Sequence, residues 1–172
     1  DMEEICKLAN DKGIYVIEDC SQAHGAKIRN QSVGSFGDLA TWSFCQDKIM
    51  TTGGEGGMIT TNSSSLYSQI WSYKDHGKSL KEIENTKNKN GFKWLHENFG
   101  TNFRMTELQS TIGILQLKKM TEWNNLRTKN AMIIFDAIKN IDLVRVPLPN
   151  KDFKHAWYKF YAYIKPQNLS SE

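Results

Sequence analysis

Two residues in this chain could do covalent and proton chemistry together. Asp19 closes the run Ile14-Tyr15-Val16-Ile17-Glu18, and Lys48 comes shortly after a second apolar run, residues 39–44. Directly behind the lysine lies a glycine-rich turn, Thr51-Thr52-Gly53-Gly54-Glu55-Gly56-Gly57. A lysine amine can form a Schiff base with an aldehyde. A carboxylate facing a pyridine nitrogen keeps that ring protonated and electron-withdrawing, and the freed amine can then shuttle a proton. Arg or Asn could not take over either task. On spacing alone the plainer readings stay open: a solvated surface lysine at 48 and a turn cap at 19.

Both residues must be delivered by regular elements. Met2, Ile5, Cys6 and Ala9 recur at the spacing of one helix face, and Gly13 is placed to end that helix. The β-branched run at 14–17 suits a strand buried on both faces. Residues 39–44 and Met58-Ile59-Thr60-Thr61 are two more strand candidates. Asn62 and the serines after it can cap a helix with Leu66, Tyr67, Ile70 and Trp71 as its stripe. Residues 74–93 lose the pattern and carry six lysines, which predicts a long loop. Solvation is the default for such charge, with contact to a diphosphate as the alternative.

Thr106 opens a helix with Leu108, Ile112 and Leu115 on one face, and a second helix follows with Ala131, Ile134, Phe135 and Ile138. Residues 143–146 and the aromatic-rich 155–165 are predicted as strands. Helices alternating with short apolar strands predict an α/β sheet with helices on its faces. In such sheets ligands collect beyond the carboxyl ends of the strands, the edge to which Asp19 and Lys48 belong.

Composition narrows the partners. The 172 residues are 39% hydrophobic and 24% charged, ordinary globular usage. Lys and Arg number 22 against 19 Asp and Glu, an excess too small to argue for nucleic acid or an anionic membrane. No apolar run nears the ~20 residues of a membrane span. Three cysteines without metal-like spacing read as reduced thiols of a cytoplasmic protein. Of these, Cys45 could be a nucleophile on paper, with a buried inert thiol the commoner outcome. The four histidines have no zinc-ligand spacing. The run of glycines lacks the order of a Walker loop, so a tight turn is its expected role. The acidic start does not resemble a signal peptide.

The wording of four segments is more specific than their spacing. Val16-Ile17-Glu18-Asp19-Cys20-Ser21-Gln22-Ala23-His24-Gly25-Ala26 resembles a segment of the DegT/DnrJ/EryC1/StrS family of sugar aminotransferases, which depend on pyridoxal 5′-phosphate. Ser35-Phe36-Gly37-Asp38 and Trp42-Ser43-Phe44 continue the match, as does the run from Lys48 to Met58. Gly100-Thr101-Asn102-Phe103-Arg104-Met105-Thr106-Glu107-Leu108-Gln109 looks like another family segment, with Leu115-Gln116-Leu117-Lys118 after it. The resemblance covers residues 14–120.

It implies an aspartate-aminotransferase-like (type I) α/β fold. Residues 1–119 would be part of the cofactor-binding large domain, with a mostly parallel sheet, and 120–172 the start of a small α+β domain. It implies that Lys48 carries the Schiff base and Asp19 faces the pyridine nitrogen. Gln22 would lie near the ring's phenolic oxygen and Ser43 on the phosphate, and Asn102 would reach the phosphate of the neighbouring subunit in a homodimer. Gln22 and Ser43 could instead bond nearby backbone, and His24 could be a packed histidine or a catalytic one.

The implied reaction moves an amino group, from glutamate, to a keto nucleotide-sugar on the way to polysaccharide, lipopolysaccharide or other amino-sugars. Two alternatives stand: a non-catalytic protein binding the cofactor or a sugar nucleotide, and a sugar dehydrase. Relatives that dehydrate have His in place of the lysine, so Lys48 favours transamination. The sequence departs from the family at Cys45-Gln46-Asp47, where many relatives have His-Pro-Asn, and at Thr101, which replaces a frequent Tyr. The chain opens inside an amphipathic pattern and lacks the family's N-terminal phosphate turn and stacking aromatic. It is therefore expected to be the middle of a longer enzyme, inactive by itself.

Overall fold

The computed structural model describes residues 1–87, 90, 91, 93 and 95–169. Helix α1 (Met2–Asp11) is capped by the Asp1 carboxylate, which accepts from the Glu3 N–H. Gly13 follows in the left-handed region at φ +66, where a side chain would be strained. Strand β1 (Ile17–Asp19) is shorter than the predicted run and shifted toward its polar end. It pairs in parallel with a later strand, Leu39–Ser43, register Ile17 to Leu39 and Asp19 to Thr41.

Between these two lies a hairpin, β2 (Lys27–Ile28) and β3 (Gln31–Ser32), turned by Arg29 and Asn30 at positive φ. The strand Leu39–Ser43 is β4, and β5 (Gly57–Thr60) runs antiparallel to it. The sheet expected to be mostly parallel thus has the order β1-β4-β5, with one parallel and one antiparallel pairing. Among the described residues β1 is an edge strand, and its predicted burial on both faces is corrected to one: Glu18 is buried, while Ile17 is 61% exposed and Ile14 and Tyr15 are exposed too.

Helix α2 (Ser64–Lys74) starts on Ser63, whose hydroxyl accepts from the Leu66 N–H. Tyr67 of the expected stripe is exposed, and Ser72 is the residue this helix buries. The long loop predicted over 74–93 is interrupted by helix α3 (Leu80–Thr86), which the abundance of Lys and Asn obscured. Ser79 caps it by accepting from the Glu82 N–H. Lys89, counted in that loop, lies outside the described residues.

The two helices expected after Thr106 are one. Helix α4 (Glu107–Ile138) runs 32 residues from a capping box in which Thr106 and Gln109 exchange bonds. Its buried residues, Gly113, Met120, Asn124 and Ala131, recur at sevens and fours and mark a single stripe. Leu108 (74% exposed) and Leu115 lie off that stripe, so the apolar face read from the sequence is not the one this structure buries. The domain division expected at 119/120 falls inside this uninterrupted helix.

Strands β6 (Val144–Arg145), β7 (Phe153–Lys154) and β8 (Tyr163–Ile164) are two residues each. The single strand predicted over 155–165 is therefore mostly irregular, kept so by a left-handed residue at Trp157 (φ +51). A short 3-10 turn, Pro166–Asn168, follows β8. β6 pairs with β8, while β7 pairs back onto β2. The core reflects the same return of the chain, since Phe44, Ile49 and Met50 pack with Met120 and Ala156. No helix among the described residues is long and apolar enough to cross a membrane.

Candidate active site

Parallel pairing brings the carboxyl ends of β1 and β4 to one edge, so Asp19 and Ser43, the last residue of each strand, end up there together. Behind them is a loop held by a residue the sequence reading passed over. Glu18 is buried, pointing to the opposite face from Asp19, and its carboxylate accepts three backbone N–H groups. Gly34 donates to Oε2 at 2.7 Å, while Phe36 and Gly37 donate to Oε1 at 2.7 and 2.8 Å. Alternation along a strand places neighbouring acids on opposite faces. One acid therefore serves the scaffold and the next faces the edge.

Asp19 does cap the following turn: its Oδ1 accepts the Ser21 hydroxyl at 2.5 Å and the Ser21 N–H at 3.0 Å. Among the described residues its Oδ2 makes no hydrogen bond, so capping leaves half of the carboxylate available. The Ser21 hydroxyl, then the Ser21 N–H, hold the carboxyl below the ordinary aspartate range. Slight burial works against them, and the Lys48 charge adds to the lowering. Asp19 is thus an anion within electrostatic reach of Lys48.

Lys48 is anchored by its successors, because Ile49 and Met50 are buried in the core and leave its amine at the surface of that core. Its side chain is 14% exposed. Nζ lies 3.8 Å from Asp47 Oδ1 and 5.0 Å from the centre of the Tyr158 ring. The solvated-lysine reading does not describe such a residue.

The turn after Lys48 is tied from several sides. Gln116 Oε1 accepts the Thr51 N–H at 2.9 Å, and Thr51 Oγ1 donates to the Phe44 carbonyl at 3.1 Å. Thr52 is fully buried and donates to the Glu55 carbonyl, which also accepts from Gln109 Nε2. Gly53 and Gly54 have φ of +83 and +140, as a tight turn demands. At Gly56 a Cβ would collide with the buried Thr52 hydroxyl, so glycine is required there for space.

The other predicted residues are placed as follows. Ser43 Oγ accepts the Cys45 N–H at 3.3 Å, the local bond foreseen as its plainer role, and its hydrogen has no acceptor among the described residues. Gln22 is exposed on the turn after β1. Asn102 is exposed before α4; its Oδ1 accepts the Arg104 N–H at 3.4 Å and its backbone bridges to Asp75. No contact among the described residues joins Asn102 to Lys48 or Asp19. Asp75 itself is buried and bonds Arg104 at 2.9 Å and Lys78 at 3.3 Å.

His24 is packed, 4% exposed, between the rings of Trp42 and Phe44 at 5.5 and 6.0 Å. Neither ring nitrogen makes a hydrogen bond of good geometry. Burial pushes its pKa down, a weak contact with the Ser43 backbone opposes this, and the Lys48 charge assists. It borders an apolar cavity of about 260 Å³ with Met50, Leu117 and Met120. Burial pushes the Cys20 thiol up to about 11, with the Glu18 and Asp19 charges adding, which makes it unreactive. Cys45 is half-buried and donates to Glu55 Oε1 at 3.4 Å.

The donor set suits pyridoxal phosphate: a sheltered amine, an anion kept ionised within its electrostatic reach, a serine hydroxyl at the strand ends, and a turn that glycine keeps clear. Asp47, Gln116 and Tyr158 also belong to this environment. The sequence signalled Asp47, as a departure from the family wording, and Gln116, inside a matching segment, but not Tyr158.

Comparison with known proteins bears on the same residues. GDP-perosamine synthase of Escherichia coli O157:H7 is 36% identical over 158 residues, covering 92% of this chain and 40% of that protein. The crystal structure of an aminotransferase from Psychrobacter cryohalolentis superposes with a TM-score of 0.95 at 49% identity, over 99% of this chain and 45% of that one. An E. coli GDP-4-keto-6-deoxy-D-mannose-3-dehydratase, solved with bound hydrated PLP, gives 0.77 at 27% identity over 96% of this chain and 43% of that one. The chain thus spans less than half the length of these relatives. Its residues 1–172 match the family model throughout, and the chain belongs to the DegT/DnrJ/EryC1/StrS aminotransferase family.

Proposed function

We propose that the protein containing this chain transfers an amino group from glutamate to a keto nucleotide-sugar, with pyridoxal 5′-phosphate held at Lys48. The observation that carries the reading is the Lys48 amine, sheltered on the core and within reach of the ionised Asp19 at the carboxyl ends of parallel strands. Family membership and the likeness to a PLP-bound neighbour indicate the cofactor. The names of relatives that make or use GDP-sugars support a nucleotide-sugar substrate.

Bound pyridoxal phosphate supplies an aldehyde for an amine and a ring that draws electrons from the substrate carbon. The chain's own residues do the rest. Lys48 Nζ takes up and returns the proton of that carbon. Asp19, already an anion with Oδ2 unbonded among the described residues, would hold the ring nitrogen of the cofactor, and ionisation is what that role requires. Ser43 has a hydroxyl hydrogen to give to the phosphate without losing its bond from Cys45. Gln22, exposed on the turn after β1, would serve the ring's phenolic oxygen.

Asn102, exposed and away from Lys48, is assigned to the phosphate of a second subunit in a homodimer. Residues 1–119 are read as large-domain structure and 120–172 as the start of the small domain, with α4 spanning both. The cytoplasm is the proposed location, and amino-sugar polysaccharide synthesis the proposed purpose.

The test is release of 2-oxoglutarate from glutamate by the full-length protein, dependent on a keto nucleotide-sugar. Release that disappears in Lys48→Ala is the expected result. Cofactor retained without any release across GDP-, dTDP- and UDP-linked keto-sugars would leave the binding-protein reading in its place.

A further inference from the structure

The C-terminal part of the chain returns to the lysine turn through three successive residues. Ala156 (3% exposed) packs with Phe44, Ile49, Met50 and Met120. Trp157 stands at φ +51, a conformation bulky residues avoid unless their surroundings impose it. The surroundings are visible: its N–H donates to His155 Nδ1 at 3.0 Å, and its carbonyl accepts from Arg127 of α4 at 3.3 Å. Its ring meets His155 edge-on and stacks on Phe160.

This left-handed step aims the next side chain. The Tyr158 hydroxyl donates to Asp47 Oδ2 at 2.6 Å, and its ring lies over the Lys48 amine. Asp47 Oδ1, the oxygen Tyr158 does not hold, is the one 3.8 Å from Lys48 Nζ.

We propose that Tyr158 is a positioning residue that acts on Lys48 through Asp47: by donating to Oδ2 it draws the carboxylate's charge onto its own bond and weakens the hold that Oδ1 has on the amine. The inference rests on Lys48 being the reactive lysine. A lysine attacks a carbonyl only when neutral, and an unmoderated carboxylate beside it keeps the proton on. A hydrogen bond donated to that carboxylate shares its charge and weakens the hold. The Tyr158 bond is also the main reason the Asp47 carboxyl lies below its ordinary range, ahead of the Lys48 charge and the Cys45 thiol.

The other groups facing this cluster are the Asp19 carboxylate and the His24 ring, both sensitive to the Lys48 charge. Lys159 also faces it, with its Nζ 5.4 Å from the centre of the Tyr158 ring. Replacements at Asp47 and Tyr158 leave all of these in place.

The two conservative replacements therefore have opposite expected effects. Asp47→Asn removes the charge, whereas Tyr158→Phe removes only its moderator. In cofactor-free full-length protein, competitive labelling with acetic anhydride across pH, read on the Lys48 peptide by mass spectrometry, reports the neutral amine directly. At a fixed pH below saturation, labelling of the Lys48 peptide is expected to rise about threefold in Asp47→Asn and to fall in Tyr158→Phe. A merely structural pair would move both variants in one direction or neither, and that result overturns the proposal. The labelling needs neither cofactor nor substrate, so its failure is distinguishable from failure of amino transfer.

Discussion

Gln116 Oε1 accepts the backbone N–H of Thr51 at 2.9 Å, joining the third turn of α4 to the loop that carries Lys48. The two residues are 65 positions apart, and the bond couples the long helix to the reactive turn. Gln116→Leu leaves the part-buried N–H without a partner, a cost of about 1–3 kcal/mol. Gln116→Glu keeps an acceptor there. In urea unfolding of the full-length protein, the Leu variant is expected to unfold earlier and the Glu variant to stay near wild type. Equal loss in both would remove this bond from the account.

Glu18 supports the site from the opposite face. With three backbone donors on one carboxylate, Glu18→Gln sets an amide NH2 against N–H groups that had an acceptor. The expected loss is about 2–3 kcal/mol, given the strength of hydrogen bonds to charged groups. Chemical denaturation measures it. Faster amide exchange at Gly34, Phe36 and Gly37 would place the effect in the loop they form.

The packing of His24 has a pH signature. Its folded pKa is lowered, so below the ordinary histidine value of about 6.5 the unfolded chain binds a proton that the folded one refuses. Its contribution to stability is present above that value and is lost as pH falls toward the lower folded one. His24→Phe keeps a ring between Trp42 and Phe44 and removes both unbonded nitrogens. The variant is expected to gain on wild type in unfolding midpoint between about pH 7.5 and 5.5. A difference that stays constant with pH would show that His24 is not held neutral by burial.

The sequence made some of these features legible and hid others for physical reasons. Asp19 and Lys48 could be read because strand ends and turns leave local marks, a β-branched run and a cluster of glycines, whereas Ser43, Gln22 and Asn102 followed from the family resemblance alone. The wording around them placed the family before any fold was known. Tyr158 left no such mark, since it meets Asp47 only through a left-handed Trp157 that no propensity predicts.

Helix α4 read as two because the middle of its stripe is built on Gly113, Met120 and Asn124 rather than on its leucines. Helix α3 was hidden by its polar composition, though Ser79 stands three residues before Glu82 as a cap signal should. The edge position of β1 was illegible for a different reason, because an apolar run does not say how many neighbours it has.

The central claim is that Lys48 is the residue that bonds the cofactor. The most direct measurement is borohydride reduction of the full-length protein incubated with pyridoxal phosphate, followed by peptide mass spectrometry. The expected result is a pyridoxyl adduct on the peptide containing Lys48, absent from Lys48→Ala. An adduct spread over surface lysines, or none on that peptide, would contradict the account.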